Sequence, residues 1–168
     1  MVCPDAALGE AVAALRQAHP YEEPPIEIYR LQPRPRLDTG EGRRLQLDQK
    51  VALPALIERA KKRLGVSQLW VAVGDDAPRR YGTVGLCAGA GGALLESALA
   101  AGCELFLTGE MRHHDVLAAQ ARGCTVMLAG HTNTERGYLK VLRRRLSSAL
   151  PAAVVTISKK DADPLRVV

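Results

Sequence analysis

Aromatic side chains are scarce in this chain: one Phe, one Trp and four Tyr in 168 residues. A stacking platform for single-stranded nucleic acid needs several exposed rings, so that function class has little to build on. Long apolar runs are missing as well, each one being broken well short of the roughly twenty residues that a membrane-crossing helix requires. The first residues, Met1-Val2-Cys3-Pro4-Asp5, show no basic stretch leading into an apolar one, and neither export nor membrane insertion is expected. Cys3, Cys87, Cys103 and Cys124 form no Cys-x-x-Cys pair and sit mostly in apolar surroundings, where cysteine behaves as a small hydrophobe. A reducing compartment follows, cytoplasmic or nuclear.

What is present is a globular composition, 47% hydrophobic, sufficient for one ordinary core and a small appended lobe. The net charge of +5 comes from scattered clusters, Arg43-Arg44, Lys61-Lys62-Arg63 and Arg143-Arg144-Arg145. The last two fall near helix C-termini, where the macrodipole favours cations. That distribution makes a thin electrostatic footprint and argues against nucleic acid as the main partner.

Leu8, Val12 and Leu15 recur at helical spacing, and residues 26–31 then alternate apolar with polar, so a helix followed by a strand is expected in a small α+β lobe. Between them His19-Pro20-Tyr21-Glu22-Glu23-Pro24 reads as a rigid corner. Residues 32–44 gather proline, glycine and arginine without apolar periodicity and read as a linker. The organisation expected is a lobe with its linker over 1–47 and an α/β unit over 48–168.

Within the second unit strand and helix alternate. Helices are expected over 53–64, 93–101, 114–122 and 135–150, the first three closed by Gly65, Gly102 and Gly123. Strands are expected over 69–73, 84–87, 104–107, 125–128 and 154–157. The fold class is therefore α/β, a largely parallel sheet with covering helices and right-handed crossovers, preceded by the small α+β lobe. Ligands of such sheets bind beyond the carboxyl ends of the strands. Three distinctive segments fall there: Gly89-Ala90-Gly91-Gly92, Thr108-Gly109-Glu110-Met111-Arg112-His113-His114-Asp115, and Gly130-His131.

His131 and Glu135 are four residues apart, a spacing that suits an imidazole nitrogen and a carboxylate oxygen on one metal ion. With Asn133 or Thr134 capping a helix, Glu135 lies in its first turn and His131 just ahead of it. The same residues are also what helix starts and strand ends ordinarily carry, and two ligands do not complete a zinc site. Gly89, Gly91 and Gly92 permit a tight strand-to-helix turn and could offer backbone N–H groups to a phosphate or nucleotide. Glu110 mimics the acidic ribose ligand of a dinucleotide fold, but Leu94 occupies the third glycine position and no Lys-Ser or Lys-Thr follows. His114 and Glu110 are candidates for proton transfer. Adjacent helical residues diverge by roughly 100°, so of His113 and His114 only one reaches a shared site, and His114 is chosen.

The second and third segments, continued as Gly130-His131-Thr132-Asn133-Thr134-Glu135-Arg136-Gly137-Tyr138-Leu139, together with Asp163-Pro164-Leu165-Arg166-Val167-Val168, resemble the NGG-interacting-factor-three-like proteins. These are also known as the dinuclear-metal-centre family or GTP cyclohydrolase type II homologues. The Thr-Asn-Thr-Glu-Arg-Gly wording and the Asp-Pro-Leu ending resemble eukaryotic-type members, and residues 19–24 resemble the end of the PII-like lobe found in many bacterial ones. The resemblance implies a homo-hexameric toroid whose α/β core binds two divalent metal ions, of zinc, iron or manganese, with His131 and Glu135 as ligands. His114 aligns with the His that ends the family's Thr-Gly-Asp/Glu segment. It also implies that a His-His pair and an Asp come from an N-terminal half that has no counterpart in this sequence, so the chain looks like the C-terminal half. That leaves a split product, a second chain supplying the other ligands, or a degenerate site. The function implied is a metal-dependent hydrolase of a nucleotide or phosphorylated small molecule. The alternatives are a non-catalytic interaction or transcription-regulatory module with protein partners, and a nucleotide-binding fragment using Gly89 to Gly92 and Glu110.

Overall fold

The structure, a computed structural model, describes residues 2–31 and 39–165. It divides into two compact units, Met1–Leu37 and Asp38–Val168. In the first, a 3-10 turn at Asp5–Ala7 leads into helix α1, Leu8–Ala18. His19 ends it in an extended conformation, and its ring nitrogen Nδ1 accepts a hydrogen bond from the Tyr21 N–H at 3.2 Å. The strand expected over 26–31 is not formed: the segment has no ladder among the described residues, and β-prone alternation without a partner edge makes no strand. Of the expected linker, 32–38 lies outside the described residues.

The second unit begins with a correction. Strand β1, Gly42–Ala52, spans both the end of the expected linker and the expected boundary at 47/48, and it pairs antiparallel with β3, Arg80–Cys87. Helix α2, Leu53–Leu64, follows, with Pro54 in its first turn and Gly65 closing it at φ 71°. Strand β2, Trp70–Ala72, comes next, and after β3 the chain alternates through α3 (Leu95–Ala100), β4 (Leu105–Thr108), α4 (His113–Ala121) and β5 (Thr125–Leu128). The sheet is five-stranded in the order β1-β3-β4-β5-β2, parallel through β3, β4 and β5 and antiparallel at both edges. The expected α/β class holds.

Because both faces of the parallel strands are covered, β4 and β5 are short continuous apolar runs rather than alternating ones. On one face Leu95 and Ala98 of α3 and Ala119 of α4 bury Phe106 and Val126. On the other, Leu53, Leu56, Ile57 and Ala60 of α2 pack against Tyr81, Val84, Leu105 and Met127. Three cysteines, Cys87, Cys103 and Cys124, are buried and free, and burial among these residues pushes the Cys124 thiol up to about 11. They serve as packing groups.

Polar residues inside this core are matched. The Thr125 hydroxyl is fully buried, lies 2.7 Å from the Tyr81 hydroxyl, and accepts the Gly74 N–H at 3.2 Å. Thr125→Val keeps the shape and removes both contacts, so each orphaned group should cost about 1–3 kcal/mol. Urea unfolding measures this, and a loss below about 0.5 kcal/mol, the size of a neutral surface change, would contradict the role. At the start of β4, burial opposes the charge of Glu104, but the N–H groups of Gly82 and Thr83 and the Lys50 ammonium outweigh it and hold the carboxyl below its ordinary range.

Two further expectations are revised near the C-terminus. The long helix over 135–150 is a short α5, His131–Glu135, a 3-10 turn at Arg136–Tyr138, and α6, Leu139–Ala149. Residues 154–157, expected as a last strand, pair with no strand among the described residues. No helix among the described residues is long and apolar enough to cross a membrane.

Candidate metal centre

The three segments singled out from the sequence meet beyond the carboxyl ends of β3, β4 and β5. Gly89, at φ 67°, is the pivot, since only a residue without Cβ adopts this conformation easily. Its carbonyl accepts the N–H of Gly109 at 2.9 Å, the N–H of Glu110 at 3.0 Å and the Thr108 hydroxyl at 3.0 Å. Its own N–H donates to the Thr134 hydroxyl at 2.8 Å, and that hydroxyl donates to the His131 carbonyl at 2.7 Å. The Gly91 N–H is likewise used, donating to the Glu110 carbonyl at 3.2 Å. The amides of Gly89 and Gly91 thus serve loop-to-loop contacts, and the phosphate contact expected of them finds both donors already engaged.

The helix carrying the candidate ligands starts earlier than expected. Gly130, at φ 85°, precedes α5, so His131 is its first residue and Glu135 lies on the same face one turn on. Neither Asn133 nor Thr134 is its N-cap; the Asn133 amide donates back to the Ala129 carbonyl at 2.7 Å. Gly109 lets this helix approach, because a Cβ there would lie 2.8 Å from the His131 Cα.

His131 sits between two carboxylates. Its Nδ1 is 2.9 Å from Glu110 Oε1, and its Nε2 is 3.5 Å from Glu135 Oε1. All three side chains are about half exposed, at 43%, 59% and 52% for His131, Glu110 and Glu135. The hydrogen bond to Glu110 raises the His131 pKa; burial opposes this, and the charges of Glu135, Glu110 and Asp163 reinforce it. His114 is exposed at the start of α4, its ring edge-on to that of His113 at 6.2 Å.

Sequence reasoning missed the return of the C-terminal segment. Asp163 accepts hydrogen bonds from the Thr132 hydroxyl and the Leu165 N–H, which lower its pKa together with Arg136 and His131 and against burial. Asp161 lies 2.9 Å from Arg136 Nε. The Asp-Pro-Leu wording around residue 163 is the one signal in the sequence that could have pointed to it.

Does this donor set fit a metal? His131 Nε2 and Glu135 Oε1 face each other, both open to solvent, and Nδ1 is held by a carboxylate in the manner that orients metal-binding imidazoles. They fit as part of a site: among the described residues no group of three or more His, Cys, Asp or Glu is placed to hold an ion, whereas catalytic zinc takes three protein ligands.

Comparison with known proteins agrees with the fold and with the family that the sequence resembles. The family described as Duf34/NIF3 (NGG1p interacting factor 3) matches residues 7–164. NIF3-like protein 1 of Rattus norvegicus is 41% identical over 169 residues, covering 99% of this chain and 44% of that protein. The GTP cyclohydrolase 1 type 2 homolog of Mycobacterium bovis is 32% identical, covering 94% of this chain and 42% of that one. Among solved structures, Staphylococcus aureus protein SA1388 shares the fold with a TM-score of 0.74 at 23% identity, over 97% of this chain and 46% of its own. The chain thus spans less than half the length of each of these proteins. On the family match and the identity over nearly its whole length, this chain belongs to the Duf34/NIF3 (NGG1p interacting factor 3) family.

Proposed function

We propose that His131 and Glu135 hold a divalent metal ion and that the chain takes part in metal-dependent hydrolysis of a small molecule. The observation that carries this reading is the His131 imidazole, fixed at Nδ1 by Glu110 and facing Glu135 at Nε2, at the point where three strand-end loops converge. The name of the mycobacterial relative, GTP cyclohydrolase 1 type 2 homolog, supports a hydrolytic reaction. The chemistry a divalent ion supplies at such a place is Lewis-acid polarisation of an oxygen ligand.

The residues of this chain do the rest. Glu110 accepts a hydrogen bond from Nδ1–H, which leaves the Nε2 lone pair as the metal donor and sets the ring plane. Glu110 keeps its second carboxylate oxygen free of hydrogen bonds among the described residues and is the group to accept a proton from a bound substrate, with His114, exposed at the start of α4, as the other candidate. Asp163, through Thr132, ties down the first turn of α5. The remaining donors come from water or from a second polypeptide, and a homo-hexamer remains the assembly expected.

Metal content after dialysis against zinc, manganese and ferrous salts tests the reading without an assay of activity. The wild-type chain should retain the ion, and His131→Ala and Glu135→Ala should each lose it at least tenfold. Equal metal in wild type and variants would refute the assignment. A folded wild-type chain that takes up none would favour an interaction module instead.

A further inference from the structure

From Arg136 to Lys160 the chain carries seven cations and no carboxylate, more positive charge than the +5 of the whole sequence. Arg136 pairs with Asp161 at 2.9 Å, and Arg145 lies over the Tyr138 ring and donates to its hydroxyl at 3.1 Å. Lys140, Arg143, Arg144, Lys159 and Lys160 have no carboxylate partner among the described residues. Like charges gathered on one surface repel each other, and an acidic counterpart relieves that repulsion.

The same surface has an apolar recess. Helix α6 carries Leu139, Leu142 and Leu146 on one face, at i, i+3 and i+7, and Leu150 continues the stripe beyond its end. No residue of α6 is buried, and Leu142, Leu146 and Leu150 are 36%, 37% and 54% exposed. Residues 155–158 face this stripe across a cleft of about 290 Å³, with Val155 and Ile157 opposite the leucines and Arg143 among the lining groups. Asp161, the one acid lining the cleft, is already held by Arg136. The volume lies just below the roughly 300–1,000 Å³ of small-molecule sites and suits a side chain of another polypeptide better.

Backbone groups are on offer there too. Exposed Val154 and Thr156 alternate with half-buried Val155 and Ile157, and none of the four N–H groups donates a hydrogen bond among the described residues. A β-prone segment with free N–H groups is a template for an added strand. Other polyanions fit less well. The Tyr138 ring is covered by Arg145, which leaves no ring on this surface for nucleic-acid bases to stack on. The leucine stripe lines a recess instead of projecting, whereas a helix lying on a membrane presents its whole apolar face.

We propose that the α6 cleft binds an extended acidic peptide segment of a partner protein. A large apolar side chain of the peptide fills the cleft, its carboxylates meet Lys140, Arg143 and Arg144, and its backbone pairs with residues 154–157. The proposal is independent of the metal centre.

Fluorescence anisotropy in excess chelator tests it, with the labelled peptide Glu-Asp-Glu-Leu-Asp-Glu-Glu as probe. This peptide should bind at least tenfold more tightly than the same peptide with serine for leucine, or with alternate backbone nitrogens methylated. Arg143→Glu combined with Arg144→Glu should weaken it at least tenfold, and so should Leu146→Glu, with thermal unfolding unchanged in both. Lys62→Glu combined with Arg63→Glu, an equal change of charge on α2, should leave the affinity as it is. Equal binding of the serine or methylated peptide, equal binding to wild type and the Arg143/Arg144 variant, or an equal loss in the α2 variant would overturn the inference. So would binding to phosphatidylserine vesicles or to duplex DNA, sensitive to the same α6 substitutions, without binding of the peptide.

Discussion

Gly109→Ala should destabilise the chain by about 3 kcal/mol, the upper end of the range for forcing an extra methyl group into a packed site. The added Cβ would lie 2.7 Å from the Gly89 carbonyl oxygen, 2.8 Å from the His131 Cα and 2.9 Å from the Thr134 hydroxyl. Two of these are backbone atoms, so no change of rotamer relieves the clash. The strand-end loops must part, and the hydrogen bonds Gly109 makes to Gly89 at 2.9 Å and to Gly130 at 2.8 Å are strained with them. Thermal unfolding should shift down by roughly 6–12 °C for a chain of this size. Gly137→Ala is the control: nothing lies within 4 Å of a Cβ there and φ is not positive, so it should be neutral or slightly stabilising. If the two variants melt together, the close approach of the loops at Gly109 does not hold the site.

Glu110→Ala should weaken metal retention by His131 and Glu135 by about 10–100-fold, the usual effect of removing a carboxylate that orients a metal-binding imidazole. The bond at stake is the 2.9 Å contact from His131 Nδ1 to Glu110 Oε1. Without it the ring is free to turn and either nitrogen can carry the proton. Glu110→Gln retains an acceptor and should recover part of the affinity, a rescue that a merely electrostatic role would not show. Equilibrium dialysis against zinc across the three proteins reads the effect directly. Equal retention by wild type and Glu110→Ala would remove Glu110 from the centre while leaving the assignment of His131 and Glu135 open to its own test.

Much of the architecture was legible locally. Gly65, Gly102 and Gly123, which take φ of 71°, 70° and 75°, mark helix ends in the sequence because few other residues adopt that conformation. The apolar runs of β4 and β5 are recognisable because strands buried on both faces need no polar alternation. Strand β1 was obscured by its composition. An edge strand with exposed faces tolerates Arg43, Arg44 and Asp48, so residues 42–44 look like linker until β3 is there to pair with them. Residues 154–157 show the converse, a β-prone sequence with no paired edge among the described residues.

By itself the sequence determined the alternation of strands and helices, the edge of the sheet where the site lies, and the pairing of His131 with Glu135. All three follow from periodicities of a few residues. Tertiary structure alone decided that Glu110 reaches His131, that Gly89 is spent on joining loops, and that Asp163 returns to Thr132. Most of these contacts join residues twenty or more positions apart, and strand order and register, which no local pattern encodes, bring them together.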